Sequence, residues 1–179
     1  MDRPLATWSD ETPPRYRFTL RRPRLHGTLE PPLGPGSICS FLLLNPSTAT
    51  ETQDDPTIRR CMDFAKRWGY DELLILNVYA LRSTDPKGLW LGPDKKPHGI
   101  DPVGSFNDAA IIAEARRPGV GAVVCGWGKH ARPDRVSRMA ALLSGMPHVF
   151  ALATNKDGSP AHPLYLPAGL QLQPYRIPC

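Results

Sequence analysis

Three asparagines stand at the ends of apolar runs: Asn45 after FLLL, Asn77 after LLIL, and Asn155 two residues after HVFALA. An asparagine amide carries a neutral donor and a neutral acceptor, the pair needed to read the edge of a nucleobase or to orient a water. Asp54 follows the first asparagine and offers a carboxylate that can take a proton. Its neighbour Asp55, before Pro56, has the signature of a helix cap. His162, in AHPLYLP, is held between small and rigid residues, where a neutral imidazole can donate to a developing oxyanion. Pro46, Ser47 and Thr48 complete the first polar cluster. Trp127, between Gly126 and Gly128, offers a ring for stacking, and Arg82 and Lys129 offer charge for a phosphate. Each type also has an ordinary use, since asparagine caps turns, tryptophan covers sheet ends and loop cations are solvated. The recurrence of asparagine at three strand ends is what sets a shared site against those uses.

Strands must deliver these side chains to one place. Phe41 to Leu44 is an unbroken apolar run, the pattern of a strand buried on both faces of a parallel sheet, and Pro46 forces the chain out of the ladder. Leu73 to Val78, Val120 to Cys125 and His148 to Ala153 read the same way. Between them lie helices starting at Asp55-Pro56, at Ser105 or Asn107, and near Asp134. The expectation is a three-layer α/β sandwich: a four-stranded parallel sheet flanked by helices. Arg15 to Leu25 alternates basic and apolar residues and adds a basic N-terminal edge strand, expected beside Ile38 to Leu44. Parallel strands point one way, so the loops bearing Asn45, Asn77, Trp127 and Asn155 to His162 emerge at the carboxyl edge, where open α/β sheets bind ligands.

With 179 residues and 41% hydrophobic content, the chain suits one α/β domain over residues 15–179 behind a flexible arm over 1–14. A net charge of +5 permits a polyanionic partner without requiring one. The four cysteines have no CxxC pairing and no histidine at ligand spacing, so neither a metal nor a cofactor is expected. Reduced thiols and the lack of a long apolar run predict a cytoplasmic protein that does not cross a membrane. Glu30 to Gly36 reads as a turn, and Gly88 to Pro102 as a long mobile flap. No Walker, GxGxxG or Ser-His-Asp pattern occurs, which removes the usual kinase, dinucleotide-binding and α/β-hydrolase readings.

The segments LLLNPSTATETQDDPTIRRC, ILNVYALRSTDP, VVCGWG and NKDGSPAHPLYL together resemble the bacterial and phage family called domain of unknown function 1643, from about Tyr16 to Leu166. In motif order and strand placement the chain is also similar, more distantly, to the uracil-DNA glycosylase superfamily. That likeness implies a glycosylase-like fold with a water-positioning loop after the first strand and a final His-Pro loop. It would give the water to Asn45 or Asp54, the base edge to Asn77, and the base oxygen to His162. Tyr79 would be the stacking aromatic.

The function expected on this basis is hydrolysis of an N-glycosidic bond in a nucleic acid or nucleotide. Two alternatives are a non-catalytic nucleobase-binding or nucleic-acid-binding module, and a small-molecule enzyme of modified-nucleotide metabolism. The expected partner is DNA, a nucleobase or a nucleotide. Nothing in the pattern sets an oligomeric state.

Overall fold

In the computed structural model, which describes residues 3–27 and 36–178, the run before Asn45 forms β3 (Ile38–Leu43), buried at every position. Its parallel neighbours are β4 (Glu72–Asn77) on one side and β5 (Val120–Cys125) on the other. β6 (Val149–Ala151) lies parallel beside β5. The four expected strands thus form one contiguous parallel block, in the order β4-β3-β5-β6. Helix α1 (Pro56–Arg67) joins β3 to β4, α2 (Asn107–Ala115) joins β4 to β5, and α3 (Pro133–Leu142) joins β5 to β6.

Side chains alternate across this block as the pleat requires. Leu42, Leu74, Leu76 and Val123 pack with Ile111, Ala115 and Met139 of α2 and α3. Phe41, Leu43, Ile75 and Val124 pack with Ile58, Cys61, Phe64 and Ala65 of α1. Helices therefore cover both faces. The path crosses from one side of β3 to the other between β4 and β5, so a crevice opens where β3 and β5 end.

The whole sheet differs from the expected one, being seven-stranded and mixed. β2 (Arg17–Arg22) runs antiparallel to β4, with Leu20 opposite Ile75. It cannot neighbour β3, both of whose sides are taken. Nor is it the edge, because β1 (Ala6–Trp8), inside the segment expected as an arm, pairs with it. At the other edge β7 (Gln173–Pro174) pairs with β6. Strands of three and two residues are too short to show a period, and Pro174 is compatible only with an edge. The expected turn at Glu30 to Gly36 falls outside the described residues except for Gly36, as does Cys179.

Local chemistry explains the element ends that matter for the site. Asp55 caps α1, its Oδ1 accepting from the Ile58 amide at 2.9 Å. Helix α2 has no side-chain cap: Phe106 stands there, and Asn107 turns inward to donate to the Asn77 carbonyl at 3.0 Å. Gly121 lets β5 approach the chain before β3, since a Cβ there would lie 2.5 Å from the Gly36 carbonyl oxygen. The Gly88 to Pro102 segment is fastened and not a free flap, with Leu89 buried and Arg132 stacked 3.2 Å over the Trp90 ring. Among the described residues no helix is long and apolar enough to cross a membrane.

Candidate functional site

At the carboxyl end of the parallel block lies a cavity of about 380 Å³. Of the residues singled out from the sequence, Asn45, Ser47, Thr48, Asn77, Trp127 and His162 line it. Their convergence follows from topology: Asn77 ends β4, Asn45 and Trp127 lie just beyond β3 and β5, and the last loop folds back across them.

Asn77 is the last residue of β4 and alternates with Leu73 and Ile75, so it projects to the α1 face. It is 0% exposed, and neither its Oδ1 nor its Nδ2 has a hydrogen-bond partner among the described residues. Its backbone carbonyl, by contrast, is held by Asn107. A buried primary amide with no partner forfeits roughly 1–3 kcal/mol. The unpartnered amide lies buried at the border of the cavity.

His162 begins a short 3-10 turn, Pro163–Tyr165, and its Nδ1 accepts from the Leu164 amide at 3.4 Å. The neutral ring then carries its proton on Nε2. Burial lowers its pKa below the usual 6.5, while the Asp55 carboxylate acts in the opposite sense. Gly126, directly after β5, admits this loop: a Cβ there would lie 3.0 Å from Pro163 Cδ.

Asn45 clasps two loops together. Its Nδ2 donates to the Pro46 carbonyl at 2.9 Å and to the Ser83 carbonyl at 2.7 Å, and the Ser83 amide returns a bond to Pro46. Ser83 also lines the cavity. The clasp fixes Asn45 by its amino group and leaves its Oδ1 uncommitted among the described residues.

A family model described as Protein of unknown function (DUF1643) matches residues 17–164. The chain belongs to that family. The matched span takes in every residue of the cavity wall except Tyr165. No curated protein and no solved structure matches the chain.

Other residues singled out from the sequence lie outside the cavity wall of this family member, each for a visible reason. Asp54 is tied to Arg22, accepting from Nε at 2.7 Å, and so is not the carboxylate of the cavity. Asn155 is exposed and bonds Ser159 Oγ at 2.9 Å, the ordinary work of a turn asparagine. Tyr79 is buried against Trp90, and its hydroxyl accepts from the Arg132 amide at 3.0 Å, so its ring is not available to stack on a ligand here. Arg82 lies over the Trp8 ring at 5.0 Å, Lys129 is exposed on the turn after Trp127, and Pro46 contributes its carbonyl to the Asn45 clasp. Trp127 is buried against Tyr175 while bordering the cavity, so it forms a wall of the site.

Two charged wall residues escaped the sequence reading. Asp55 was legible only as a cap, yet capping occupies one oxygen, and the residue lines the cavity. Arg17 is 1% exposed, with Nη1 bonded to the Ala49 carbonyl at 2.6 Å. Burial pulls its pKa down to about 10, opposed by the charge of Asp55. No spacing rule separates Arg17 from Arg15 or Arg21; only the loop folded over it does. Among the described residues no group of three His, Cys, Asp or Glu side chains is placed to hold a metal.

Proposed function

We propose that this cavity receives a nucleobase and that the protein hydrolyses the N-glycosidic bond attaching it. The observation that carries the reading is Asn77, a fully buried amide with both polar atoms unpartnered, bordering the cavity at the end of a parallel strand. Every pyrimidine and purine presents adjacent donors and acceptors on one edge, which a single amide can match with two bonds. The parallel block with helices on both faces and a His-Pro loop over the strand ends is compatible with a glycosylase-like fold.

The chemistry then divides among four side chains. Asn77 holds the base edge. As the glycosidic bond lengthens, its electrons pass to the base, and Nε2–H of His162 donates to the base oxygen where negative charge gathers. Oδ1 of Asn45 and the carboxylate of Asp55 orient a water toward the sugar carbon, and Asp55 takes the proton that water loses. The products are the free base and a sugar bearing a hydroxyl at the former attachment.

The test is direct. Oligonucleotides, nucleosides and nucleotides carrying uracil, hypoxanthine or hydroxymethyluracil are incubated with purified protein, and released base is measured by chromatography. Release that Asn45→Ala abolishes, with ligand binding retained, supports the hydrolase. Binding without release in the unaltered protein would replace it with the non-catalytic module. That second reading draws on the clasp at Asn45, whose amino group is already committed to two carbonyls.

A further inference from the structure

We infer that the cavity takes its nucleobase as a nucleoside monophosphate, with the terminal phosphate held by the buried guanidinium of Arg17. This rests on the nucleobase reading of the same cavity. Arg17 opens β2, its amide bonded to the Ala80 carbonyl at 3.0 Å, which sets it one strand beyond the end of β4 and Asn77. It lines the same cavity.

A guanidinium at 1% exposure has given up its hydration and needs an anion or a full set of acceptors in return. It has neither. Arg17 makes no ion pair with any described carboxylate, although Arg3, Arg21, Arg22, Arg117, Arg135 and Arg138 each do. Among the described residues, Nη1 is bonded to the Ala49 carbonyl, Nε is buried and unpartnered, and the guanidinium lies 5.9 Å from the centre of the Trp8 ring. Asp55 borders the same cavity without pairing to it and spends one oxygen on the Ile58 amide. The first turn of α1, with Thr57 also in the wall, adds the positive end of a helix dipole.

Two further features favour a small ligand over a polymer. Among the described residues the cationic or imidazole side chains of the wall are Arg17, His130 and His162, so the wall itself offers one guanidinium and no row of lysines or arginines to a phosphodiester backbone. The volume of about 380 Å³ falls in the range of roughly 300–1,000 Å³ that encloses whole small ligands.

Titration calorimetry on the intact protein compares a nucleobase, its nucleoside, its 5′-monophosphate and a ten-residue oligonucleotide containing the same base. The inference predicts that the monophosphate binds at least tenfold more tightly than the nucleoside and the oligonucleotide. It also predicts that inorganic phosphate competes with the monophosphate, and that Arg17→Gln removes the advantage while Arg17→Lys keeps part of it. Equal affinities for nucleoside and monophosphate would overturn the phosphate site and leave the base pocket standing. A tighter oligonucleotide, or an advantage that survives Arg17→Gln, would also overturn it. If none of the four binds, the nucleobase reading itself fails. The ligand series in the unaltered protein decides the matter even where Arg17→Gln does not fold.

Discussion

The amide of Asn107 donates 3.0 Å to the backbone carbonyl of Asn77, while the Asn77 side chain, 0% exposed, is left with no partner of its own. The protein thus fixes the end of β4 through its main chain and leaves the side-chain amide unspent. Stability and recognition are opposed at that residue, and the opposition can be measured.

Asn77→Leu replaces an unsatisfied buried amide with an apolar group of similar size, so the ligand-free protein should gain about 1–3 kcal/mol. For a chain of this length that raises Tm by several degrees. Base binding should weaken by about 10- to 100-fold, since two hydrogen bonds are lost. A thermal scan and a binding titration on the same preparation give both numbers. A variant that loses stability by a comparable amount would mean that Asn77 has a structural partner.

The two adjacent aspartates should separate cleanly. Asp55→Asn keeps a capping side chain but removes the proton acceptor, and base release should fall by about 100-fold or more. Asp54→Asn breaks a partly exposed pair with Arg22, worth roughly 0–1 kcal/mol, and should leave turnover within about twofold. The reverse order of effects would return the catalytic carboxylate to Asp54.

Much of this arrangement was readable from residue order. Unbroken apolar runs gave the four parallel strands, and Asp55-Pro56 gave the start of α1, because burial on both faces and capping leave local signatures. Asn45, Asn77, Trp127 and His162 followed from strand direction alone. The edges of the sheet did not, since β1 and β7, three and two residues long, are too short to show a period. Arg17 and Asp55 were missed as wall residues for a related reason: a cation under a loop and a cap facing a cavity look like any other cation and cap until the loop is folded. Asn155, chosen like Asn77 for its place after a strand, and Tyr79, offered by the resemblance as a stacking ring, lie outside the wall and spend their polar groups on Ser159 and Arg132.

His162 gives a pH signature. Burial holds its folded pKa below the 6.5 of the unfolded chain, so the protein must take up a buried charge as the solution is acidified. Its contribution to stability is intact above pH 6.5 and is lost as the pH falls through the folded value. Glu72 and Asp108, both held low by arginines, act only in the more acidic range below 4.5 and 3.8. Tm followed between pH 7.5 and 5 should therefore decline in the native sequence and decline less in His162→Gln. Parallel curves would show that another group governs this range.

Gly126 should be a positioning residue. A Cβ there would lie 3.0 Å from Pro163 Cδ and 3.3 Å from Leu43 Cδ2, so Gly126→Ala must shift the loop that carries His162. The expected result is a loss of kcat by about tenfold or more with KM nearly unchanged, because the displaced imidazole acts on the developing charge and not on the bound base. An increase in KM alone would point instead to a narrowed entrance.

The side-chain amide of Asn77 can itself report whether a base binds there. Nitrogen-15 resonances of its NH₂ group, assigned by their loss in Asn77→Leu, are recorded while nucleobases, nucleosides and nucleotides are titrated in. The expected result is a downfield shift that is half complete at the dissociation constant measured by calorimetry. A ligand that fills the cavity and leaves those resonances in place would contradict it.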